Sequence, residues 1–552
     1  MPYCLSYTIG KQIFLKKFLL YSKQEAALFI INNFNADSIY YSHKLSFDFF
    51  LILEGFITIN ANIKIICLDN NLYGASVTKG KKTIKFRCSL KLIRIGLANF
   101  YPDLYFKKKI EIDFHDTKNT DITYDKLNPS LDKIFTERNE TDVEILMHGY
   151  SNFVSVVCEL GITKREILKH YTPGGIILAF FVKNYNSINL NLIEYQKRTL
   201  TPYFFGGRCE VFGNKKTSEV VFHFDYYGMY HLSMYECIPD GLFTLENTTD
   251  NNVDLPGFYY IEAELYNDIP ILPIKLGKLM FVNGYISGWY WFEEIILALT
   301  QSKVVYFKVH HALKCNQYGK FLHKFANDLE LFKKKSNLHK KIGKMLVNSF
   351  YGRLGLGDDL ELQYLSKTET KLSVNNAYLK TKKLKQKPAS NIAIAAVIAS
   401  KARIRLYQAF LDIKLSGGRV LYCDTDSVFA AFPEDKQVEN ISLGKSGIIF
   451  SKENRIKDCI FYKPKTYGLI LNDGEEIIKI KGVNNNEIKF QDLKSAKNSL
   501  ILNKTDISTR NASIEITHRK VEINLCGYEK RNFIENNTNT EPILREIKKN
   551  TK

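Results

Sequence analysis

The alternation of apolar and polar residues predicts a chain of mixed helices and strands. Strand-like runs occur at residues 3–9 and 64–68, and residues 142–157 have helical spacing. Residues 318–351 are predicted to form the longest helical segment, and residues 391–412 a helix rich in small apolar residues. These assignments indicate an α+β protein.

The remaining segments are shorter or more polar. Residues 236–300 combine Pro, Gly and aromatic residues with short β-like runs, and residues 356–390 are typical of a hairpin excursion. Residues 183–200 are polar and Asn-rich, as expected of a connection, and the tail after residue 485 is polar. At 552 residues the chain is several times the usual domain length, so two or more domains are predicted.

The chain is strongly basic. Its 77 Lys+Arg and 58 Asp+Glu residues give a formal net charge of +19. Such an excess favours a polyanionic partner, of which nucleic acid is the commonest. The alternative is compositional drift toward Lys in an AT-rich genome.

Cysteine usage and hydropathy exclude other classes. The ten cysteines form no CxxC pair and no cluster with zinc spacing, which is typical of an intracellular protein with reduced thiols. Since no apolar run approaches the roughly 18 residues that span a bilayer, no membrane partner is expected. The N-terminal segment lacks the order of a signal peptide, because its lysines follow the first apolar stretch.

Two aspartates lie between apolar β-forming runs in residues 419–432, RVLYCDTDSVFAAF. The pattern predicts a hairpin with Asp424 and Asp426 at its tip. Residues two apart on an extended chain face the same way, so both carboxylates are predicted to converge on one cation. The alternative is a solvated turn, because Asp and Ser are common turn residues.

A third carboxylate ends the apolar strand in residues 220–236, VVFHFDYYGMYHLSMYE. Asp225 beside the hairpin acids would complete a site for two Mg²⁺ ions, or Mn²⁺, which clamp the oxygens of a phosphoryl transfer about 3.5–4 Å apart. Mg²⁺ commonly uses few carboxylates together with substrate phosphates. The alternative is that Asp225 only caps the following helix.

A helix with a basic face is predicted over residues 340–355, KKIGKMLVNSFYGRLG. Lys344, Asn348 and Tyr351 lie at offsets of 0, 4 and 7 and share one face, and Lys340 extends it. Lys333 would extend it further if the helix is continuous. Such a face offers point charges to a triphosphate, whereas the alternative is a solvated basic surface.

Together, in this order, the motifs resemble those of the family B DNA polymerases. Residues 225–231, DYYGMYH, are similar to that family's first palm motif, DxxSLYP. Residues 344–352 match KxxxNSxYG in full, and residues 422–427, YCDTDS, match the third motif in full. Residues 461–468, FYKPKTYG, resemble the later KxY element, and residues 204–207, FFGG, resemble the YxGG linker.

The resemblance implies a role for each matched side chain. The expected catalytic carboxylates and metal ligands are Asp225, Asp426 and, secondarily, Asp424. The expected dNTP contacts are Tyr230, which by resemblance excludes a 2′-hydroxyl, together with Lys344, Asn348 and Tyr351. The expected primer and DNA contacts are Lys465, Tyr467, Gly206 and Gly207. The implied partners are a DNA template-primer and dNTPs, bound by a monomer.

The implied fold is a right-hand polymerase (palm, fingers, thumb) with an N-terminal ribonuclease-H-like 3′–5′ exonuclease domain. The expected regions are exonuclease-like 1–160, linker 161–205, palm 206–245 and 396–484, first insertion 246–310, fingers 311–356, second insertion 357–395 and thumb 485–552. The insertions are inferred from spacing, since Asp225 to Asn348 is 348 − 225 = 123 residues and Asn348 to Asp424 is 424 − 348 = 76 residues.

Two large insertions are similar to the protein-primed branch of the family, found in phages, adenoviruses and linear mitochondrial plasmids. Residues 268–295 look especially like the plasmid-type enzymes. In that branch the first insertion contacts a priming terminal protein, which is therefore a further possible partner. This resemblance and the Lys/Asn/Ile-rich composition predict a mitochondrial element, and otherwise an intracellular location.

The exonuclease motifs are less complete. Residues 42–50, SHKLSFDFF, resemble the second motif and give Asp48, with Lys44 for the usual Asn. Residues 138–146, RNETDVEIL, resemble the third motif and give Asp142, with Arg138 where a Tyr is usual. The first motif, an Asp-x-Glu strand, is expected before residue 1, so this domain is predicted to be truncated. A two-metal nuclease without two carboxylates should hydrolyse poorly.

Two other functions fit parts of the pattern. One is a catalytically decayed, plasmid-derived remnant that only binds nucleic acid, as the incomplete exonuclease motifs suggest. The other is a reverse transcriptase or RNA polymerase on a similar palm. The full KxxxNSxYG match and Tyr230 favour dNTP use on DNA.

Overall fold

A computed structural model describes most of the chain. The described residues are 4–9, 12–17, 23–36, 38–68, 71–110, 129–247, 250–356, 361–366, 378–383, 390–435, 449–481, 488–496, 499–510, 513–525, 527–534 and 538–546. Within these ranges, no helix is both long and apolar enough to cross a membrane.

The N-terminal region is built on a four-stranded sheet. Its elements are β1 (Cys4–Ile9), β2 (Gln12–Lys17), α1 (Lys23–Asn33), β3 (Ile39–Ser42), α2 (Leu45–Thr58), β4 (Asn62–Leu68), β5 (Asn71–Lys79), β6 (Lys82–Cys88) and α3 (Ser89–Ile93). The sheet has the order β3-β6-β5-β4, with β3 and β6 parallel and the other pairs antiparallel. Helix α2 buries Phe49 and Phe56 next to Phe86 of the sheet, in a core separate from the rest of the chain.

Four helices follow. They are α4 (Pro129–Cys158), α5 (Lys164–Ile167), α6 (Pro173–Asn184) and α7 (Glu194–Leu200). Helix α4 has 30 residues and is longer than any helix in residues 318–351, so the expectation about the longest helix is wrong. Residues 183–200, expected to be a connection, end in helix α7 because Gln196, Lys197 and Leu200 find buried positions there.

A five-stranded sheet occupies the region of the expected first insertion. After β7 (Cys209–Val211), β8 (Glu219–Asp225), α8 (Met229–Met234) and β9 (Ile238–Pro239), the chain forms β10 (Phe243–Asn247), β11 (Gly257–Tyr266), β12 (Pro273–Leu276), β13 (Lys278–Phe281), β14 (Asn283–Trp291), α9 (Phe292–Gln301), β15 (Lys303–Cys315) and β16 (Tyr318–Gly319). The sheet begins with β10 and includes β15 up to Cys315, so it passes both expected boundaries, 246 and 310.

Two helices packed against each other follow, α10 (His323–Lys333) and α11 (Asn337–Leu354). The helices are not continuous, because Ser336 caps α11 by accepting a hydrogen bond from the His339 N–H. The expected hairpin of residues 356–390 contains the antiparallel strands β17 (Glu361–Ser366) and β18 (Tyr378–Lys383). Helix α12 (Ile392–Leu415) follows, begins after the Asn391 cap and is buried along most of its length, as its small apolar residues predict.

A seven-stranded antiparallel sheet gathers strands that are far apart in the chain. The last elements are β19 (Arg419–Asp424), β20 (Ser427–Pro433), β21 (Ile449–Lys463), β22 (Thr466–Leu471), β23 (Glu476–Ile480), α13 (Phe490–Ser495), β24 (Ser499–Arg510), β25 (Ser513–Asn524), β26 (Arg531–Ile534), β27 (Asn539–Pro542) and β28 (Leu544–Arg545). The sheet order is β23-β22-β21-β8-β20-β19-β7. Strand β8 lies at its centre, although more than 190 residues separate it from β20 in the chain. Strand β28 joins the edge of the five-stranded sheet beside β14.

Candidate active site

Asp225 and Asp426 meet at one end of the seven-stranded sheet. Strand β8 ends at Asp225, which is the register partner of Ser427, the first residue of β20. The N–H of Tyr226 donates a hydrogen bond of 2.8 Å to the carbonyl oxygen of Asp426. Two acids that are 201 residues apart in sequence (426 − 225) are thus held side by side by the register of two central strands.

The hairpin tip is a tight two-residue turn of Thr425 and Asp426. Thr425 has φ +62°, and its N–H donates a hydrogen bond of 2.7 Å to the carbonyl oxygen of Arg208. The Asp426 N–H donates to the carbonyl oxygen of Asp424, also at 2.7 Å. Side chains two residues apart face the same way only on an extended strand. Because the chain reverses at this turn, the predicted common orientation of Asp424 and Asp426 does not hold, and the two carboxylates lie next to different charged residues.

The site is electrostatically unfavourable for two ionised carboxylates. Burial raises the pKa of Asp225, while Lys344 lowers it. Burial and the nearby Asp225 raise the pKa of Asp426, and Lys344 again acts in the opposite direction. Two carboxylates that repel each other beside a single lysine suit a divalent cation, which would stabilise both charges. The pair therefore fits the metal ions that the motifs imply.

The third acid has a different partner. The carboxylate of Asp424 lies 3.3 Å from Nζ of Lys465. Burial, together with the negative charge of Asp424, raises the pKa of the neighbouring Cys209 thiol to about 12. Within the described ranges, no three His, Cys, Asp or Glu side chains converge to hold one metal ion. Asp424 is therefore placed to fix Lys465, and the expectation that it also binds metal stays a prediction.

Lys465 is held by the core of the sheet. It has φ +61°, and its N–H donates a hydrogen bond of 2.9 Å to the hydroxyl of buried Tyr422. Tyr422 stacks on Phe461 with ring centroids 5.0 Å apart, and Tyr467 packs against both rings. Lys465 and Tyr467, the expected primer contacts, are thus both held by the aromatic cluster of Tyr422 and Phe461, next to Asp424.

Helix α11 presents the predicted face. Lys344 and Asn348 are exposed on it, and half-buried Tyr351 stacks on Tyr230 with centroids 4.0 Å apart and an interplanar angle of 14°. This contact joins α11 to α8, which follows Asp225. Lys333 does not extend the exposed face, because α10 ends there and its side chain is only 5% exposed.

Two glycines lie close to the hairpin tip. A Cβ on Gly207 would come within 2.6 Å of the Thr425 side chain, whereas one on Gly206 would meet nothing within 4 Å. Gly228, which replaces the Ser of the motif, has φ +77° and is the N-cap residue that precedes α8. Glycine adopts this left-handed conformation at little cost.

A buried ion pair that the sequence did not suggest supports the glycine segment. Arg403 of α12 donates through Nε and Nη2 to the two carboxylate oxygens of Glu294 in α9, at 2.7 and 2.8 Å. Its Nη1 donates to the carbonyl oxygens of Phe205 and Gly206. Arg403 is one of several charged residues in α12, so the sequence carries no signal that singles it out.

The expected exonuclease residues also come together. The Ser42 hydroxyl donates to the Asp48 carboxylate. The Asp48 side chain is exposed at the surface, but the protein that surrounds it partly desolvates the carboxyl and raises its pKa to about 6, with Asp142 acting in the same direction. Nζ of Lys109 lies 2.9 Å from the Asp142 carboxylate, so a lysine already neutralises this acid. The expected first motif lies outside the described residues.

The arrangement of the elements and of the two sites is that of a right-hand polymerase with an exonuclease-like domain. A solved structure of Phi29 DNA polymerase with primer-template DNA and incoming nucleotides is similar over 94% of this chain and 96% of that chain, with a TM-score of 0.73 at 17% sequence identity. Phi29 DNA polymerase with primer-template DNA gives a TM-score of 0.74 over the same shares of the two chains at 17% identity.

Sequence comparison identifies the family to which the chain belongs. The family described as DNA polymerase type B, organellar and viral, matches residues 105–408, and the chain belongs to this family. A probable DNA polymerase from Podospora anserina is 23% identical over 83% of this chain and 42% of its own length. Another from Neurospora intermedia is 26% identical over 57% of this chain and 36% of its own length. The chain thus spans less than half the length of these relatives.

Proposed function

We propose that this chain is a template-directed DNA polymerase that adds dNTPs to a DNA 3′ end. The observation that carries the proposal is the meeting of Asp225 and Asp426 beside Lys344, at the junction of the central sheet with helix α11. Membership of the organellar and viral type B family supports it. A Phi29 DNA polymerase structure of similar fold was solved with primer-template DNA and incoming nucleotides, which supports the same ligands for this chain.

The chain's own residues divide the task. Asp225 and Asp426 would hold Mg²⁺ or Mn²⁺. Such ions, when bound, stabilise the charge on the attacking and leaving oxygens of a phosphoryl transfer. Lys344 is placed to neutralise the triphosphate, an effect that grows as charge develops in the transition state. Lys465, oriented by Asp424, would hold the primer terminus whose 3′-hydroxyl attacks the α-phosphate.

Sugar selection is assigned to the stacked pair of Tyr230 and Tyr351. The Tyr230 ring is fixed against Tyr351 and lies beside the backbone of Gly207. A ring held in this way would leave no room for a ribose 2′-hydroxyl. This arrangement favours dNTPs over the rNTPs that an RNA polymerase would use.

The biological setting is also proposed. Two insertions and the Phi29-like fold support a protein-primed enzyme that replicates a linear plasmid or a viral-type element, with a terminal protein as primer. The composition and the plasmid-like residues 268–295 support a mitochondrial location. Extension that begins from a purified terminal protein instead of a DNA primer would test the first point.

The deciding experiment is extension of a primed DNA template by the purified chain with Mg²⁺. The proposal predicts template-dependent addition of dNTPs, with much lower use of rNTPs in a parallel reaction. DNA binding without any extension would refute the proposal and favour the remnant hypothesis. Equal use of dNTPs and rNTPs would refute the assignment of Tyr230.

A further inference from the structure

A buried ion pair lies at the edge of the seven-stranded sheet, beside the hairpin turn of Thr425. Glu210 is 0% exposed and belongs to β7, a three-residue edge strand that pairs with β19. Its Oε2 accepts a hydrogen bond of 2.6 Å from Nε of Arg208, and Nη2 of Arg208 lies 2.5 Å from the same oxygen. Residues two apart on an extended segment face the same way, so the carboxylate fixes the arginine that precedes the strand.

Arg208 joins the hairpin turn to the segment between β11 and β14. Its carbonyl oxygen accepts the hydrogen bond of 2.7 Å from the N–H of Thr425, in the turn that contains Asp426. Its Nη1 donates at 2.8 Å to the carbonyl oxygen of Pro270, and its guanidinium lies 4.0 Å from the centre of the Phe281 ring. Pro270 and Phe281 both lie between β11 and β14. One buried residue is thus in contact with both regions.

A second arginine binds the same segment. Arg531 is 3% exposed, and its Nη2 donates at 2.9 Å to the carbonyl oxygen of Asp268. Burial lowers the pKa of Arg531, and the negative charge of Glu210 acts in the opposite direction. Glu210 therefore provides the negative charge for two buried arginines, and each arginine donates to one carbonyl oxygen of residues 268–270.

Stability alone does not account for these three buried charges. Replacing a buried ion pair or triad by apolar residues is often neutral or stabilising, because the charges no longer have to be taken out of water. Among the residues that the structure describes, Oε1 of Glu210 and Nη1 of Arg531 also find no hydrogen-bond partner, which adds to the cost of burial. What the arginines supply is direction, since each planar guanidinium holds the carbonyl oxygen that it binds in a fixed orientation.

We infer that Glu210 is a positioning residue for the turn that presents Asp426 to a metal ion. By holding Arg208 and Arg531 against residues 268–270, it fixes the backbone of Arg208 and, through that backbone, the hairpin turn. A three-residue edge strand has few ladder hydrogen bonds of its own, so its position depends on this clamp. The inference rests on the proposed function, since the metal ion is that of the proposed reaction.

The test is Mn²⁺ binding to the purified chain, measured from the EPR signal of the free ion in the absence of DNA and nucleotide. Binding at the candidate site is the part that Asp426→Asn abolishes, so ions bound elsewhere are subtracted. Glu210→Gln should weaken that binding about tenfold, because residues that orient a metal ligand commonly contribute at least that much to metal affinity.

Glu219→Gln is the matched control for the loss of a carboxylate that pairs with an arginine. Glu219 lies 2.8 Å from Nη2 of Arg419 and begins β8, whose other end is Asp225. Because this pair lies at the far end of the same sheet, the variant should bind Mn²⁺ as the wild type does. An equal loss of Mn²⁺ affinity in Glu219→Gln would overturn the inference.

A triple variant avoids leaving a buried charge unpaired. Combining Arg208→Met, Glu210→Leu and Arg531→Met removes all three charges, so the protein should melt at or above the wild-type temperature. It should nevertheless bind Mn²⁺ about tenfold more weakly, whereas a role in stability alone predicts no loss. Wild-type Mn²⁺ affinity in Glu210→Gln or in the triple variant would overturn the inference, and either variant decides the test if the other fails to fold.

Primer extension measured in parallel separates this inference from the proposed function. A chain that binds Mn²⁺ in a Glu210-dependent way but never extends a primer would support the inference and refute the proposed function. A chain that extends normally while Glu210→Gln binds Mn²⁺ as the wild type does would overturn the inference alone. A wild-type chain without Asp426-dependent Mn²⁺ binding would overturn the inference whatever the extension assay shows.

Discussion

Asp225 stands directly opposite Ser427 across two central antiparallel strands, and this register places its carboxylate beside that of Asp426. Asp225→Asn or Asp426→Asn should each lower nucleotide incorporation about 100-fold or more, since removing one charge-stabilising group at a reacting centre costs roughly that much. DNA affinity should stay within a few fold. The measurement is single-nucleotide incorporation alongside DNA binding.

Asp473→Asn is the matched control for that loss of charge. Asp473 is exposed in the turn between β22 and β23, away from the Asp225–Asp426 pair. Its variant should incorporate nucleotides at the wild-type rate. Retained incorporation in either site variant would show that the catalytic carboxylates lie elsewhere.

The same two carboxylates should cost the metal-free protein stability. Their pKa values are raised in the folded chain, so the folded state binds protons more readily than the unfolded state. Their unfavourable contribution is therefore full above the raised pKa and disappears as the pH falls below the ordinary Asp range. In EDTA at pH 8, Asp426→Asn should melt higher than the wild type, and the difference should shrink toward pH 4. A lower melting temperature at pH 8 would contradict the assigned repulsion.

Gly207 and Gly206 form a matched pair. Gly207→Ala should reduce incorporation roughly 10- to 100-fold, because its Cβ collides with Thr425 and displaces the turn that holds Asp426. Gly206→Ala meets no atom within 4 Å and should remain within about threefold of the wild type. Similar losses in both variants would mean that these glycines act through DNA contact rather than through the turn.

Glu294 should matter for stability far more than its neighbour. Glu294→Gln leaves Arg403 buried without its counter-charge and should destabilise the chain by about 3 kcal/mol or more. Glu293→Gln should cost clearly less, because its partner, the buried Lys401, keeps a second carboxylate, that of Glu236, 3.5 Å from Nζ. Denaturant unfolding monitored by fluorescence measures both. Equal costs would argue against a structural role for the Arg403–Glu294 pair.

The exonuclease-like domain should digest single-stranded DNA weakly or not at all. Lys109 already pairs with Asp142, and a lysine that neutralises one of the two acids weakens their combined attraction for a metal ion. Asp48→Asn should therefore leave any residual digestion nearly unchanged. Digestion of a 5′-labelled strand with Mg²⁺ gives the answer, and robust activity that Asp48→Asn abolishes would refute this prediction.

Local sequence determined the elements that carry the site. The apolar runs around Asp225 and around residues 419–432 became strands β8, β19 and β20, because β-forming residues alternate or cluster there. The shared face of Lys344, Asn348 and Tyr351 followed from helical period alone. These features depend on neighbours within one or two turns, so a single sequence is sufficient to predict them.

Only the tertiary structure decided which groups meet. The position of β8 between β20 and β21 brings Asp225 to Asp426, while the tight turn at Thr425 directs Asp424 to Lys465. Burial of Arg403 with Glu294, and of Lys333 with His231, likewise joins residues about 100 positions apart. Strand order and the pairing of buried charges depend on how the whole chain packs, and no local period encodes them.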